Sequence, residues 1–229
     1  MKQSPPLRMP GATLLTRLKV YDSRGPDGQL GGTPHFHLAC TEMYFPLAGS
    51  GAVEIIDMDG FQRVELPLHS AFIFTAGTLH RLINPIGDME LLIMMQNSGL
   101  PERGDTIATF GMDVLGDDLR FHKAMRAASL DEAYQRRDDA VRGFNAIKDT
   151  FARSKEEGRE LLKEIYKLAR ARTASRHKEW YEIVTKGAFA EAQDTLHQVI
   201  ELTTGKTAHL NLAQNCLLPA EPYKTVGFC

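Results

Sequence analysis

Apolar and polar residues alternate in short runs through the first hundred positions of the chain. In residues 14–21, for example, Leu14 and Leu18 fall on one face of an extended segment. Alternation with a period of two is typical of strands that bury one face, and turn formers such as Asp59 and Gly60 separate the runs. Strands are therefore predicted for residues 14–21, 42–47, 52–57, 61–66, 71–74, 79–84 and 89–96. Short strands with no helical segment between them predict a sandwich or a closed barrel.

The periodicity changes in the second half of the chain. Residues 101–128 are ambiguous, with turn formers around short apolar runs. From residue 129 onward apolar residues recur every three or four positions, which predicts at least three amphipathic helices in residues 129–204. Ser129 and Ser154 each have a glutamate three positions later, which is the pattern of a capping box at a helix N-terminus. These helices are predicted to pack on the outside of the strands, followed by a tail that packs on the body of the protein.

The composition is that of a soluble globular protein and argues against several classes of partner. The chain has 229 residues, of which 43% are hydrophobic and 24% charged, and its formal net charge is −2. A charge balance this close to neutrality does not favour nucleic acid or an anionic membrane surface as a partner. The sequence also lacks a long apolar run and a signal-like stretch near Met1, and its three cysteines form no C-x-x-C pair. We therefore expect a cytoplasmic protein with reduced thiols.

Candidate metal-binding residues are concentrated in two short stretches of the strand-rich half, residues 35–42 and the region around residue 80. His35 and His37 are two positions apart, so both imidazoles leave the same face of a strand. Glu42 follows at an odd offset and returns to that face only if the chain turns or changes strand at residues 39–41. His80 follows a turn that contains a glycine. Three imidazoles and one carboxylate converging from three strands predict a cation site that keeps room for water or substrate.

Two motifs in this part of the chain resemble those of the cupin superfamily. The first motif is H-x-H, four residues, Glu, six residues and Gly, and the second is Gly, two residues, His, three residues and Asn. In this sequence the motif positions are His35, His37, Glu42, Gly49, Gly77, His80 and Asn84. The resemblance covers residues 14–96, with Thr75 where the second motif usually has proline and His69 where it usually has glycine.

The resemblance implies a fold, a ligand set and an assembly. The implied fold is a mainly β jelly-roll (cupin) barrel plus a C-terminal α-helical region, which is α+β overall. We predict the barrel with its N-terminal arm in residues 1–105, and the helical region with its tail in residues 106–229. The resemblance also implies one metal per chain, with the ligands His35, His37, Glu42 and His80. Because cupins commonly pair through edge strands of the barrel, it implies a homodimer.

The resemblance also implies chemistry, with alternatives. Three imidazoles and one carboxylate suit several divalent metals, of which Fe(II) is the first choice and Mn, Zn, Ni and Cu are alternatives. By family frequency, the resemblance implies an Fe(II) dioxygenase-type oxidoreductase acting on a small-molecule substrate. A metal-dependent isomerase or lyase, and a non-catalytic regulatory cupin that binds a small molecule, are the alternatives. Strand parity places Tyr44 on the face of Glu42 and Asn84 on the face of His80, so Tyr44 and Asn84 are the candidate catalytic residues.

Overall fold

The computed structural model describes residues 9–217 and shows two sheets of strands followed by helices. Nine strands lie within this part of the chain. They are β1 (Leu14–Lys19), β2 (His35–His37), β3 (Glu42–Ala48), β4 (Ala52–Asp57), β5 (Gly60–Glu65), β6 (Phe72–Phe74), β7 (Leu79–Ile83), β8 (Glu90–Met95) and β9 (Thr106–Ala108). The antiparallel sheets have the orders β1-β8-β3-β6 and β5-β4-β7-β2-β9. The predicted jelly-roll barrel with a C-terminal helical region is confirmed.

Six α-helices follow the strands in the described chain. They are α1 (Met112–Leu115), α2 (Asp118–Met125), α3 (Leu130–Arg153), α4 (Lys155–Thr173), α5 (His177–Lys186) and α6 (Ala188–Thr203). Short 3₁₀ turns lie at Pro10–Ala12, Pro101–Arg103, Ala174–Arg176 and Ala208–Leu212. The hydroxyl of Ser129 accepts a hydrogen bond from the Glu132 amide at 3.2 Å, and that of Ser154 accepts one from the Glu157 amide at 3.3 Å. Both serines therefore cap the helices that the sequence predicted.

Two hydrophobic cores share the five-stranded sheet, because both of its faces are covered. On β4, Ile55 packs inside the barrel with Leu91, whereas Ile56 packs outward against the helices. The helical side of this outer core includes Phe144, Ile147, Leu162 and Ile165. A strand covered on both faces no longer shows polar and apolar residues in alternation, and residues 52–56 are all buried. The outer core fixes α3 and α4 against the sheet that carries His35 and His80.

The helices differ in how much of their apolar face they bury. Besides α3 and α4, α5 contributes Trp180 to a core cluster that it shares with strand residues, and the predicted minimum of three helices in residues 129–204 is confirmed. The predicted helix at α6 also forms, and it contacts α5 and the 3₁₀ turn at Pro10–Ala12. Within residues 9–217, however, its apolar face stays largely uncovered, with Leu196 60% exposed and Val199 50% exposed. The periodicity of α6 therefore predicted a helix but not its burial.

The short strand β9 was not predicted from the sequence. It lies in the ambiguous residues 101–128 and pairs with β2, where Ile107 is opposite Phe36. Three residues are too few to show an alternation, and the strand is defined by its partner rather than by its own pattern. It begins just past the predicted boundary at residue 105, and that division into domains stays a prediction.

Some predictions concern residues that the structure does not describe. The predicted tail lies mostly in residues 218–229, and the predicted N-terminal arm lies partly in residues 1–8. Within residues 9–217, no helix combines the length and the apolar character that are needed to cross a membrane.

Candidate metal centre

The path of the chain between the two sheets brings Glu42 to the two histidines that precede it. Strand β2 ends at His37 in the five-stranded sheet, and β3 begins at Glu42 in the four-stranded sheet. The crossing at residues 38–41 removes the odd offset, as the sequence required. On the neighbouring strand β7, His80 pairs directly opposite His35. The four side chains therefore converge from three strands.

The four predicted ligands form one cluster. Each of His35, His37, Glu42 and His80 offers a ligand atom, and these atoms all lie within 4.8 Å of one another. The Nε2 atoms of His35 and His80 are 3.1 Å apart. Glu42 Oε2 lies 3.1 Å from His37 Nε2 and 3.3 Å from His80 Nε2. His37, Glu42 and His80 are buried, while His35 is partly exposed toward a cavity.

Each imidazole is held by its other ring nitrogen. The Nδ1 atom of His35 lies 2.8 Å from the carbonyl oxygen of Thr33, and that of His80 lies 2.9 Å from the carbonyl oxygen of Thr78. The Nδ1 atom of His37 lies 3.2 Å from Asp105 Oδ2. An Nδ1–H that donates to these oxygens leaves the Nε2 lone pair directed at the cluster, which is the tautomer that binds a metal.

Asp105 is the site residue that the sequence did not reveal. Its side chain is fully buried, and its Oδ1 accepts hydrogen bonds from the amides of Leu38 at 3.0 Å and Ala39 at 2.8 Å. One carboxylate thus fixes both the His37 ring and the crossing that leads to Glu42. In the sequence Asp105 ends a run of turn formers, and an aspartate in a turn usually bonds its own loop. Its partners are more than 60 residues away, so no local signal could identify the role.

The charges in the cluster are strongly coupled. Burial disfavours the charged form of Glu42, but the imidazoles of His37 and His80 outweigh burial and lower the pKa of Glu42. Burial would lower the pKa of His37, yet the carboxylates of Asp105 and Glu42 raise that pKa to about 9. Burial and the neighbouring His80 and His37 hold the pKa of His35 well below its usual value. The cluster therefore contains an ionised carboxylate and at least one neutral imidazole.

The donor atoms fit a divalent transition metal better than they fit one another. Although His37 Nε2 and Glu42 Oε2 are close, their contact is not aligned as a hydrogen bond. His37 Nε2 and both carboxylate oxygens of Glu42 are buried with no hydrogen-bond partner among the described residues. Buried polar atoms are rarely left in this state, because each one costs about 1–3 kcal/mol. A cation that accepts imidazole nitrogen and carboxylate oxygen would satisfy all of them at once.

Replacing Asp105 by asparagine is expected to weaken metal binding about 10- to 100-fold. The amide of asparagine places a donor opposite the Nδ1–H of His37, which favours the other tautomer and turns a proton toward the metal. The dissociation constant for Zn(II), measured by competition with a chromophoric chelator, tests this expectation. Asp149→Asn, at an exposed position on α3, is the matched control. Unchanged affinity in Asp105→Asn would show that Asp105 has no part in the site.

A cavity of about 60 Å³ adjoins the cluster at His35. The exposed surface of its wall is mainly apolar, although several side chains with polar groups also line it. The lining residues are Leu18, Lys19, Val20, Tyr21, Gly32, Thr33, His35, Tyr44, Leu82, Ile93, Thr106, Ala108, Met125 and Arg136. An apolar pocket with a few polar groups next to a cation site is typical of a small-molecule site. Arg136, from α3, is a lining residue that sequence reasoning did not single out.

Of the two candidate catalytic residues, Tyr44 lines the cavity and Asn84 does not. Tyr44 is buried in the cavity wall, with its ring centroid 6.0 Å from that of His80. Asn84 is not among the described residues that line the cavity. Its Nδ2 donates to the carbonyl oxygens of Val20 and Tyr21, and its Oδ1 accepts from the amides of Gly87 and Met89. Asn84 therefore holds the turn after β7, because its polar atoms all bond backbone.

The loop between β1 and β2 contributes Val20, Tyr21, Gly32 and Thr33 to one side of the cavity wall. Arg137 of α3 donates hydrogen bonds to the carbonyl oxygens of Ser23 and Arg24, both at 3.0 Å. Asp27 in the same loop pairs with Arg81 at 2.7 Å. Burial would raise the pKa of Asp27, but Arg81 outweighs burial and lowers that pKa. The loop is thus fixed to both the helical half and the barrel.

Comparison with known proteins finds similarity in structure alone, since no protein-family model and no curated protein matches the chain. A cupin protein from Bacteroides fragilis is 16% identical, with a TM-score of 0.28 over 38% of this chain and 65% of its own. A TDP-fucose-3,4-ketoisomerase from Campylobacter jejuni is 18% identical, with a TM-score of 0.31 over 36% of this chain and 58% of its own. A DMSP lyase from Ruegeria pomeroyi is 17% identical, with a TM-score of 0.29 over 38% of each chain.

These neighbours are cupin-family proteins. The similarity spans less than half of this chain and less than two thirds of each of the three neighbours. The function proposed below therefore rests on the geometry of the metal centre and its cavity.

Proposed function

We propose that this chain is a metal-dependent enzyme that acts on a small organic molecule, with an Fe(II) dioxygenase-type oxidoreductase as the first choice. The observation that supports it is the cluster of three imidazoles and one carboxylate at the end of a small, mainly apolar cavity. A structural metal site is usually closed by four ligands and needs no cavity. This site combines donors for a redox-active metal with space for a reactant.

The ligands His35, His37, Glu42 and His80 would hold the metal. When bound, it supplies positive charge at the cavity and up to two coordination positions for substrate or O2. Asp105 keeps His37 in the tautomer that presents Nε2. The apolar side chains of Leu82 and Ile93 exclude water from the reacting molecule. Water exclusion protects reactive species during oxidation.

Tyr44 is the residue proposed to contact the substrate. Its side chain is 2% exposed and lies in the cavity wall beside His80. A phenol hydroxyl donates a hydrogen bond to a substrate oxygen, or transfers a proton there. In an oxidative reaction it would orient the substrate.

A metal-dependent isomerase or lyase is the second candidate, and Tyr44 is the observation that favours it. Isomerisation and elimination both need a group that moves a proton at a defined substrate atom. A buried tyrosine in the cavity wall beside His80 supports a role in that transfer. In this reaction Tyr44 would be a general acid or base, and no O2 would be consumed.

Oxygen uptake by metal-loaded protein separates the two candidates. The full chain is loaded with Fe, Mn, Ni or Zn and assayed against catechols, diketones, thiols and hydroxy acids, in air and without O2. We expect O2 consumption by the Fe(II) form with one substrate class. Anaerobic turnover of a substrate by the Zn or Mn form, with no O2 uptake by any form, would replace the oxidative function by the isomerase or lyase.

The nature of the partners is also a proposal. A small molecule is the proposed substrate, and neither nucleic acid nor a membrane is proposed as a partner. The homodimer implied by the sequence resemblance and the cytoplasmic location both stay predictions.

A further inference from the structure

A buried arginine from the helical half of the chain lies in the cavity wall. Arg136, on α3, is 8% exposed and lines the same cavity as His35 and Tyr44. From this placement we infer that the substrate is a small carboxylic acid, and that Arg136 binds its carboxylate. The inference rests on the proposed function, since it names the substrate class of the same site.

The position of Arg136 is set by a neighbouring lining residue. Its Nη1 donates a hydrogen bond to the carbonyl oxygen of Met125 at 3.2 Å, and Met125 itself lines the cavity. This bond fixes the guanidinium at the end of α2, where the chain turns into α3. A planar guanidinium presents its N–H donors in a fork that matches the two oxygens of a carboxylate. Arg136 is thus both buried and held in place before a ligand enters.

The rest of the wall favours a small acid with one negative charge. The wall contains one lysine and one arginine among the described residues. Lys19 pairs with Glu90 at 3.2 Å, and its side chain is 50% exposed, whereas Arg136 is buried. In surroundings with few polar atoms the attraction between a cation and an anion is stronger than in water. A volume of about 60 Å³ favours a compact molecule.

Two further features suit an acid with a short apolar body. Leu82, Ile93 and Ala108 supply an apolar surface for that body. Thr33 Oγ1 is buried with no hydrogen-bond partner among residues 9–217, and Thr33 lines the cavity. Its hydroxyl is available to donate to an oxygen of the ligand. The acid would then extend from Arg136 toward the metal centre at His35.

This placement gives the helical half a direct part in the site. Arg136 lines the cavity, and the adjacent Arg137 bonds Ser23 and Arg24 in the loop that contributes to the cavity wall. One of two consecutive residues of α3 would thus bind the ligand, and the other holds part of the wall in place. The helices would then set the substrate class, and the barrel would supply the metal ligands.

The test uses thermal unfolding of the metal-free full chain with acetate, lactate and butyrate, each compared with its neutral amide at equal ionic strength. We expect at least one acid to raise the unfolding temperature more than its amide does. In Arg136→Gln that difference should disappear, with affinity for the acid reduced about 10- to 100-fold and affinity for the amide unchanged. Arg136→Lys should keep part of the preference, because it retains the charge.

Arg142→Gln is the matched control, since Arg142 lies on the same helix at the surface, paired with Asp139. It should bind the acids as the wild type does. An equal preference for the acid in Arg136→Gln, or no preference for any acid in the wild type, would overturn the inference. The wild-type comparison needs no variant, so a lack of preference would overturn the inference even if Arg136→Gln does not fold, and in that case Arg136→Lys tests the assignment to Arg136.

Metal content, measured separately, keeps this inference distinct from the proposed function. If the chain binds metal but shows no preference for an acid, the substrate class is wrong and the metal-dependent function stands. If the preference depends on Arg136 but the chain binds no metal, the proposed function is wrong and the acid site stands.

Discussion

Replacing His35 by alanine is expected to lower the affinity for divalent metal by about a hundredfold or more. His35 contributes one of four ligand atoms, and its ring borders the cavity, so its removal disturbs the packing less than the loss of buried His37 or His80. Loss of a direct ligand should exceed the effect of losing a residue that only orients a ligand. Competition with a chromophoric chelator measures the dissociation constant.

The control for this variant is His197→Ala. His197 is an exposed histidine on α6, far in sequence from the cluster, and its nearest acidic partner is Glu201 at 3.7 Å. Its substitution should leave metal affinity unchanged. Equal affinity in His35→Ala and the wild type would remove His35 from the site, and a parallel loss in both variants would indicate adventitious surface binding.

Replacing Gly143 by alanine is expected to lower the free energy of unfolding by about 3 kcal/mol or more. A Cβ at Gly143 would lie 1.9 Å from the carbonyl oxygen of Thr109 and 2.8 Å from the carbonyl carbon of Phe110. Both are backbone atoms, which cannot turn aside as a flexible side chain can. Thr109 is itself fixed, since its hydroxyl donates to the carbonyl oxygen of Ala140 at 2.9 Å. Helix α3 would therefore have to move away from the barrel.

Helix propensity alone predicts the opposite sign for Gly143→Ala, an increase in the free energy of unfolding, so the sign of the measured change distinguishes the two effects. In an exposed helix, glycine to alanine stabilises by about 1 kcal/mol. Ala146→Gly, at an exposed position of the same helix, should cost about that amount through propensity alone. Urea unfolding of both variants measures the two effects. If Gly143→Ala were more stable than the wild type, α3 could not lie this close to the backbone of Thr109 and Phe110, which follows β9.

Much of the barrel could be predicted because its signals are local. Alternation and turn residues located seven of the described strands to within two residues at each end. The serine caps located the starts of α3 and α4. The metal ligands could be predicted because the spacing of His35, His37 and Glu42 resembles a known motif, and His80 completes it.

The remaining features depend on partners that are distant in sequence. Strand β9 exists because β2 pairs with it, and Asp105 acts through residues more than 60 positions away. In the sequence, Arg136 is one of many charged residues in a predicted helix and has no distinguishing pattern. The packing of α3 on the barrel brings it to the cavity. Asn84 is four residues after His80, so alternation predicts the same face of the strand for both. Its polar atoms instead form hydrogen bonds with backbone groups around the turn after β7. Parity predicts a face and does not predict which groups that face will meet.

The central claim is that His35, His37, Glu42 and His80 bind one metal ion, and anomalous diffraction tests it most directly. A crystal of the full chain grown with Mn(II) or Zn(II) should show one strong anomalous peak within the cluster. The peak should lie about 2.0–2.2 Å from the Nε2 atoms of the three histidines and from an oxygen of Glu42. A fully loaded crystal with anomalous peaks only elsewhere, or with two of these side chains turned away from the peak, would contradict the account.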